Sequence, residues 1–468
     1  MANAELVKQD VWVAARLLPT AGIRNQNEQE RRAASALLAV MGAVPDFCHA
    51  LLSGMKVPKG KVSTYTELRF KDGDNKTHIP DGGVIVERGK KRWGCLVEIK
   101  TGTAELDTEQ VSRYLDLARE HGFDGLLTIS NQIRSDPQDL PYEIRKSKLK
   151  GLAVYHASWW RILTEAIVQH RFRGIDDPDQ AWILGELIRY LDDEKSGASG
   201  FEGLGQDWVR VRESARNETL RPSDAKAKAV AARWEQFVEY LCLHLSQELG
   251  VDVSNLRPRG RSTEEQIAAT ADSLALRGVL QCSMRVPDAV GPIGVQANLR
   301  TRRVTTTVEI PAPKEGRPRT RINWLLRQLK DAPEDLRIDV RFARVRATRS
   351  ELLRDCRELP ERLLMEDEPK REPRSFLLAL SMPMGKKGGR KEGSFVAETR
   401  RHATDFYRDL VQGLMPPRTK APKIREDESK VSEPERSAPA PEQSERVVRR
   451  EHEASIRRLA EGMPFTPS

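Results

Sequence analysis

The chain is poor in the residues that staple small folds together. Its 468 residues include five cysteines, Cys48, Cys95, Cys242, Cys282 and Cys356. The number is odd and no two form a CxxC pair, which argues against a disulfide framework or a zinc site. Several sit in apolar stretches and read as buried thiols of a reducing, cytoplasmic compartment. The eight histidines show no HExxH or other metal spacing. A GK[ST] phosphate loop is missing, so intrinsic ATP use finds no support, and no serine-hydrolase elbow is visible. No apolar run is long enough to span a bilayer, and the N-terminus lacks a signal-peptide core, so no membrane partner is expected.

What is present is charge. Lysine and arginine number 78 against 69 acidic residues, a net charge of +9. This balance favours a polyanionic partner such as nucleic acid, moderately, because the acids are interspersed. The hydrophobic share of 38% supports real cores. The mean hydropathy of −0.58 indicates a soluble chain with some solvated length.

The patterning predicts an α/β architecture. After an N-terminal extension, 1–26, residues 27–175 read as one unit. Its first helix starts near Asn27, with Glu30 as capping-box partner and Ala34, Leu37, Leu38 and Met41 on one stripe. A strand around 63–70 and a β-hairpin follow. A second helix starts at Asp107, with Gln110 as capping-box partner and Val111, Tyr114, Leu115 and Ala118 inward. Apolar strands at 123–130 and 152–156 and a helix at 159–168 complete the unit, with a βαβ crossover between the hairpin and the 123–130 strand. Residues 176–255 read as a helical connecting region. Residues 270–415 change period and read as a second, α+β domain. The segment 416–468, rich in Pro, Ser, Glu and Lys, reads as a disordered charged tail, with a short charged helix between 443 and 461. That tail offers a segment for recruiting a protein partner.

The sharpest chemical signal lies on the hairpin. Gly89-Lys90 suits a two-residue loop, with glycine at the first loop position. Centring the turn there pairs Arg88 with Lys91 and, counting outward, Asp81 with Glu98. Side chains alternate along a strand, so Lys100 shares a face with Glu98. Facing carboxylates repel and call for a cation, and Mg²⁺ (or Mn²⁺) prefers such oxygen ligands. The Ile99 carbonyl lies between them in sequence as a further ligand. A surface hairpin whose charges simply pair is the competing reading. Against it, Gly82-Gly83 suit close backbone approach, and Glu98 and Lys100 end an apolar strand where charge is unfavourable unless used.

Pro80-Asp81, a spacer and then Glu98-Ile99-Lys100 resemble the PD-(D/E)XK nuclease superfamily. Gln110-Val111-Ser112-Arg113-Tyr114 on the next helix resembles the QxxxY motif of its RecB-like branch. The resemblance covers roughly residues 25–175 and implies a restriction-endonuclease-like core, a mixed sheet flanked by helices. It implies Mg²⁺-dependent hydrolysis of phosphodiester bonds, with nucleic acid, DNA foremost, as the partner. Asp81 and Glu98 would hold the metal, and Lys100 would stabilise charge. Glu30, on the first helix, would support the metal; Glu28 ranks behind it. Gln110 and Tyr114 would orient substrate or Lys100. The local alternatives stay open: Glu30 and Gln110 as caps, Tyr114 as core. A catalytically inactive module that binds nucleic acid or protein is the rival function.

Smaller signals read more simply. Thr101-Gly102-Thr103 is an ordinary strand-to-helix connection. His156, Trp159 and Trp160 are better core residues than base-stacking ones. The basic loop from Gly385 to Lys391 could grip phosphates, although charged loops are usually just solvated.

Overall fold

In the computed structural model, the described residues are 16–417 apart from 72–74, 135–138, 150, 199 and 390. The expectations for the tail, for its short helix and for residues 1–15 fall outside them.

The described chain is a mixed α/β structure with two principal sheets. The first sheet contains β1 (Lys61–Thr66), β4 (Gly82–Arg88), β5 (Lys91–Ile99), β6 (Gly125–Ser130) and β7 (Ala153–Ser158), in that spatial order. A two-stranded ladder, β2 (Phe70–Lys71) and β3 (Thr77–His78), stands apart. Strands β1, β4 and β5 are antiparallel neighbours, whereas β5, β6 and β7 run parallel. The parallel step needs a crossover, supplied by helix α3 (Thr108–Glu120). The β4–β5 hairpin pairs Arg88 with Lys91, and only Gly89 of its two loop residues has positive φ.

The alternation of β5 decides which helix each side chain meets. Val97 and Ile99 are fully buried against α1 (Gln26–Ala43), in a core that also holds Leu37, Leu38 and Met41. Burying such a side chain completely contributes about 1.5–3 kcal/mol. Leu96 faces the opposite way and packs with Val111, Tyr114 and Leu115 of α3. Helices α2 (Pro45–Leu51), α4 (Trp159–Val168) and α5 (Pro178–Asp192) join the α1 side.

Two caps differ from expectation. Helix α1 begins one residue earlier than Asn27, with Asn25 accepting from the amide of Glu28. Glu30 is therefore not a capping residue. Asp107 caps α3 by accepting from the Glu109 amide. Gln110 instead turns its side chain to Tyr114. A short Asp carboxylate reaches the second helical amide directly, so no reciprocal glutamine is required.

The second sheet has seven strands, every neighbouring pair antiparallel: β8 (Ser254–Asn255), β9 (Val279–Arg285), β10 (Ile293–Asn298), β11 (Arg303–Pro311), β12 (Arg337–Phe342), β13 (Thr348–Leu352) and β14 (Pro373–Pro383). Helices α6 (Trp208–Arg216), α7 (Ala225–Leu249), α8 (Thr263–Arg277), α9 (Pro318–Gln328), α10 (Leu353–Glu358) and α11 (Phe395–Asp409) accompany it. Residues from α6 and α7 share one core with this sheet, while Leu184 and Leu187 of α5 belong to the first. The helical stretch 176–255 is thus divided between two cores. Ile338 and Val340 of β12 are buried, and Arg337 and Arg341 lie on its solvent face, where Asp339 and Glu309 pair with them.

Candidate active site

Four charged side chains meet where β4 begins and β5 ends. The β4–β5 register sets Gly82 beside Val97, which carries Asp81 to the level of Glu98. Asp81 Oδ2 accepts from the Ile99 amide at 2.7 Å. Lys100 Nζ donates to Glu98 Oε1 at 2.7 Å and lies 3.7 Å from Glu30 Oε2. Glu98 is only 1% exposed. Its other oxygen, Oε2, is buried and accepts no hydrogen bond from a donor group among the described residues, while the Asp81 carboxyl interacts directly with the Glu98 carboxyl. Leaving such an acceptor unsatisfied costs about 1–3 kcal/mol, more when it is charged.

Electrostatics follow from this crowding. Burial, and then the charge of Asp81, pushes the Glu98 carboxyl well above the ordinary glutamate range, with Lys100 pulling the other way. Burial also raises Asp81, against the Ile99 N–H and Lys100. Glu30 is raised by burial, with Lys100 again opposing. Burial draws the Lys100 ammonium downward, but Glu98 first, then Asp81 and Glu30, outweigh it and move it up. The cluster is three acids around one ammonium, in a setting that disfavours full ionisation of the acids.

Glu28 stands apart from this cluster. It accepts from the Arg24 amide, pairs with Arg32 at 2.6 Å, and its carboxyl is held below the usual range by those contacts.

Gln110 and Tyr114 do share a helix face, and they act on the cluster's frame. Gln110 Nε2 donates to Tyr114 Oη at 3.1 Å, and that hydroxyl donates to the Ile79 carbonyl at 3.2 Å, two residues before Asp81. Tyr114 is buried, so it is both core and tether. Gly82 has a structural reason of its own. A Cβ there would come within 2.2 Å of Leu38 Cδ1 and 2.8 Å of the Tyr65 carbonyl, so α1 and β1 can close over the strand only at a glycine.

The clamp on the far side of Lys100 escapes a reading of the sequence. Trp159 Nε1 donates to the Lys100 carbonyl at 2.8 Å. Gln26 Nε2 donates to the Thr101 carbonyl, Thr101 Oγ1 donates to Gln29 Oε1, and Asn131 Nδ2 donates to the Gly102 carbonyl. Two glutamines three apart opening a helix are the only local sign, and they do not reveal partners some seventy residues away. His156 is a core residue, bonded to the Gln132 carbonyl and to Thr128, and burial holds its imidazole neutral.

No group of three or more His, Cys, Asp or Glu side chains forms a ready metal cage among the described residues. Two features nevertheless fit a hard cation: the orphaned Glu98 Oε2 and the facing Asp81 carboxyl. In a strand, a residue's N–H and C=O point the same way, so the Ile99 carbonyl lies on the edge that Asp81 reaches through the Ile99 amide.

No protein-family model matches the chain, and no curated protein is significantly similar to it. All five cysteines are free thiols, and no single helix among the described residues is long and apolar enough to cross a membrane.

Proposed function

We propose that residues 27–175 form a PD-(D/E)XK nuclease-like domain with a restriction-endonuclease-like core, which hydrolyses phosphodiester bonds in DNA with Mg²⁺ or Mn²⁺. The observation that carries this reading is Glu98: almost fully buried, with one oxygen lacking a donor, beside Asp81 and bound to Lys100. A buried carboxylate oxygen that no donor satisfies, beside a second carboxyl, calls for an explanation, and a cation between the two acids supplies one. The order of elements supports the reading as well. A helix, an antiparallel hairpin and a βαβ crossover bring Glu30, Asp81, Glu98 and Lys100 together.

Asp81, Glu98 and the Ile99 carbonyl would hold the metal, with Glu30 in support. The bound ion would supply an activated water and neutralise charge on the phosphodiester. Lys100 would leave Glu98 Oε1 and turn its ammonium to a non-bridging phosphate oxygen, where charge grows in the transition state. Gln110 and Tyr114 would fix the segment bearing Asp81. The second sheet and its helices would serve as an accessory domain for recognition.

The test is cleavage of supercoiled plasmid and single-stranded DNA by the full chain, with Mg²⁺, Mn²⁺ or EDTA. Metal-dependent cleavage that falls by about 100-fold or more in Asp81→Ala and in Lys100→Ala is expected. Robust cleavage surviving both substitutions would sink the assignment. A second reading, a nuclease-like module that binds without cutting, draws on one observation: the Lys100 ammonium already sits among the three acids. Metal-independent DNA binding without cleavage would favour it.

A further inference from the structure

A small basic recess lies on the part of the molecule built around the second sheet. Its volume is about 180 Å³, and its lining is Arg212 of α6, Arg302 at the β10–β11 turn, and Met384, Gly385 and Lys386 just after β14. This is room for a phosphate group with a few waters, each taking about 30 Å³ in the liquid. Three of the five lining residues are cationic and none is acidic.

The charges in the recess are unmatched. Among the described residues, no carboxylate forms an ion pair with Arg212, Arg302 or Lys386, although Glu213 adjoins Arg212 in sequence. Several other arginines around the second sheet are matched, Arg337 with Asp339, Arg341 with Glu309, Arg319 with Glu361 and Arg349 with Glu366, whereas, among the described residues, Arg277 and Arg327 bond only Ser273 and the Asn323 carbonyl and do not line a common recess. Three such cations around one concavity repel one another, so the arrangement favours an anion between them.

The recess is also framed. Arg212 Nη1 donates to the Lys386 carbonyl at 3.1 Å, which fixes its guanidinium while leaving other N–H groups to donate. Met384 donates its amide to the Arg302 carbonyl at 2.8 Å, joining the turn to the end of β14. Arg302 has φ +55, a conformation that glycine or asparagine adopts more readily. The exposed arginine there makes no ion pair among the described residues, so its charge answers no visible structural demand. Beyond Lys386, the Lys387 amide bonds to the Gly393 carbonyl and closes the base of the loop that carries Lys387 and Lys391.

We propose that Arg212, Arg302 and Lys386 form a docking site for a backbone phosphate of nucleic acid, separate from the carboxylate cluster. This deepens the nuclease reading by giving the second sheet region a part in holding substrate. The site serves affinity and not chemistry, so it is read by binding alone.

The experiment measures binding of a fluorescent DNA duplex to the full chain in EDTA, across a series of salt concentrations. The variant Arg212→Gln/Arg302→Asn/Lys386→Gln removes the three charges, and Asn suits the left-handed backbone at position 302. A charge-matched control, Arg277→Gln/Arg327→Gln/Lys330→Gln, changes three exposed cations elsewhere on the second sheet's helices and their ends. Removing one cation that neutralises a phosphate lowers the slope of log affinity against log salt by about 0.9. The site variant is therefore expected to bind at least tenfold more weakly at low salt, with a slope smaller by about 1–2, while melting like the parent. The control should keep its slope. Equal losses in the two variants, or parental binding by the site variant, overturn the proposal. So does a recess that loses inorganic phosphate binding on substitution while DNA binding stays unchanged. A chain that binds DNA through the recess yet never cuts it would leave the docking site standing and count against the nuclease reading alone.

Discussion

The indole of Trp159 donates to the main-chain carbonyl of Lys100 at 2.8 Å, across fifty-nine residues of sequence. The bond ties the N-terminus of α4 to the end of β5 and fixes the backbone from which the Lys100 ammonium reaches Glu98 and Glu30. Trp159→Phe keeps most of the packing and removes the donor. Stability should fall by about 1–3 kcal/mol in urea denaturation, because the carbonyl loses its partner. DNA turnover should fall further than DNA binding. Unchanged stability together with unchanged turnover would show that the bond positions nothing.

Glycine at position 82 answers a steric demand next to Asp81. Gly82→Ala should destabilise by about 1–3 kcal/mol through overpacking against Leu38 and the Tyr65 backbone. It should also weaken metal binding, since Asp81 moves with the strand. Gly89→Ala is the contrast. Its Cβ would meet open space, but φ is +60, so stability should drop by about 1–2 kcal/mol while metal binding persists. Denaturation and metal titration of the two variants separate these effects.

Stability without metal should depend on pH in an unusual direction. Glu98, Asp81 and Glu30 have carboxyls raised above their ordinary values, chiefly by burial. A raised carboxyl holds its proton in the folded state at a pH where the unfolded chain has released it. Its contribution is complete below the unfolded value and is lost as pH rises through the folded one. Metal-free protein should therefore lose stability from these groups as pH climbs from the ordinary glutamate value of 4.5 upward. Glu98→Gln should flatten that slope in melts collected across pH. A wild-type slope equal to that of the variant would contradict the buried-carboxylate account.

Divalent metal should reverse the same trend. Mg²⁺ binding requires ionised carboxylates, so affinity should rise with pH over the window in which metal-free stability falls. At one hundred times its dissociation constant, a ligand specific for the folded state adds about 2.7 kcal/mol. Wild-type protein should thus melt higher with Mg²⁺ or Mn²⁺, whereas Asp81→Ala and Glu98→Gln should not respond. Equal shifts in all three proteins would place any metal elsewhere.

Much of the local architecture was legible. The apolar stripe of α1, the Asp107 cap of α3 and the strict alternation of β12 are short-range patterns, and the backbone obeys them. The capping boxes were less so. Asn25 and Asn27 both offer a capping side chain, and the choice between them depends on where α1 must start to pack. Gln110 satisfies the formal spacing of a cap partner, yet Tyr114 Oη lies on its own helix face and claims it. The helical stretch 176–255 carries no sequence sign of its division. Leu184 and Trp234 both carry large apolar surfaces on helices of similar pattern, and only the packing of the two cores sends α5 to one and α7 to the other.

Local residues alone set the hairpin. A glycine at the first position of a two-residue loop set the register, and the two-residue period of a strand put Glu98 and Lys100 on one face with Asp81 at their level. These are consequences of backbone sterics and need no distant partner. The tertiary structure alone decided the rest of the cluster. It freed Glu30 from capping and brought it to Lys100, left Glu98 Oε2 buried without a donor, and fastened the end of β5 with Trp159, Gln26 and Asn131. Those contacts join residues about thirty to seventy-five positions apart, and helix packing against the sheet, not any local period, sets which of them meet.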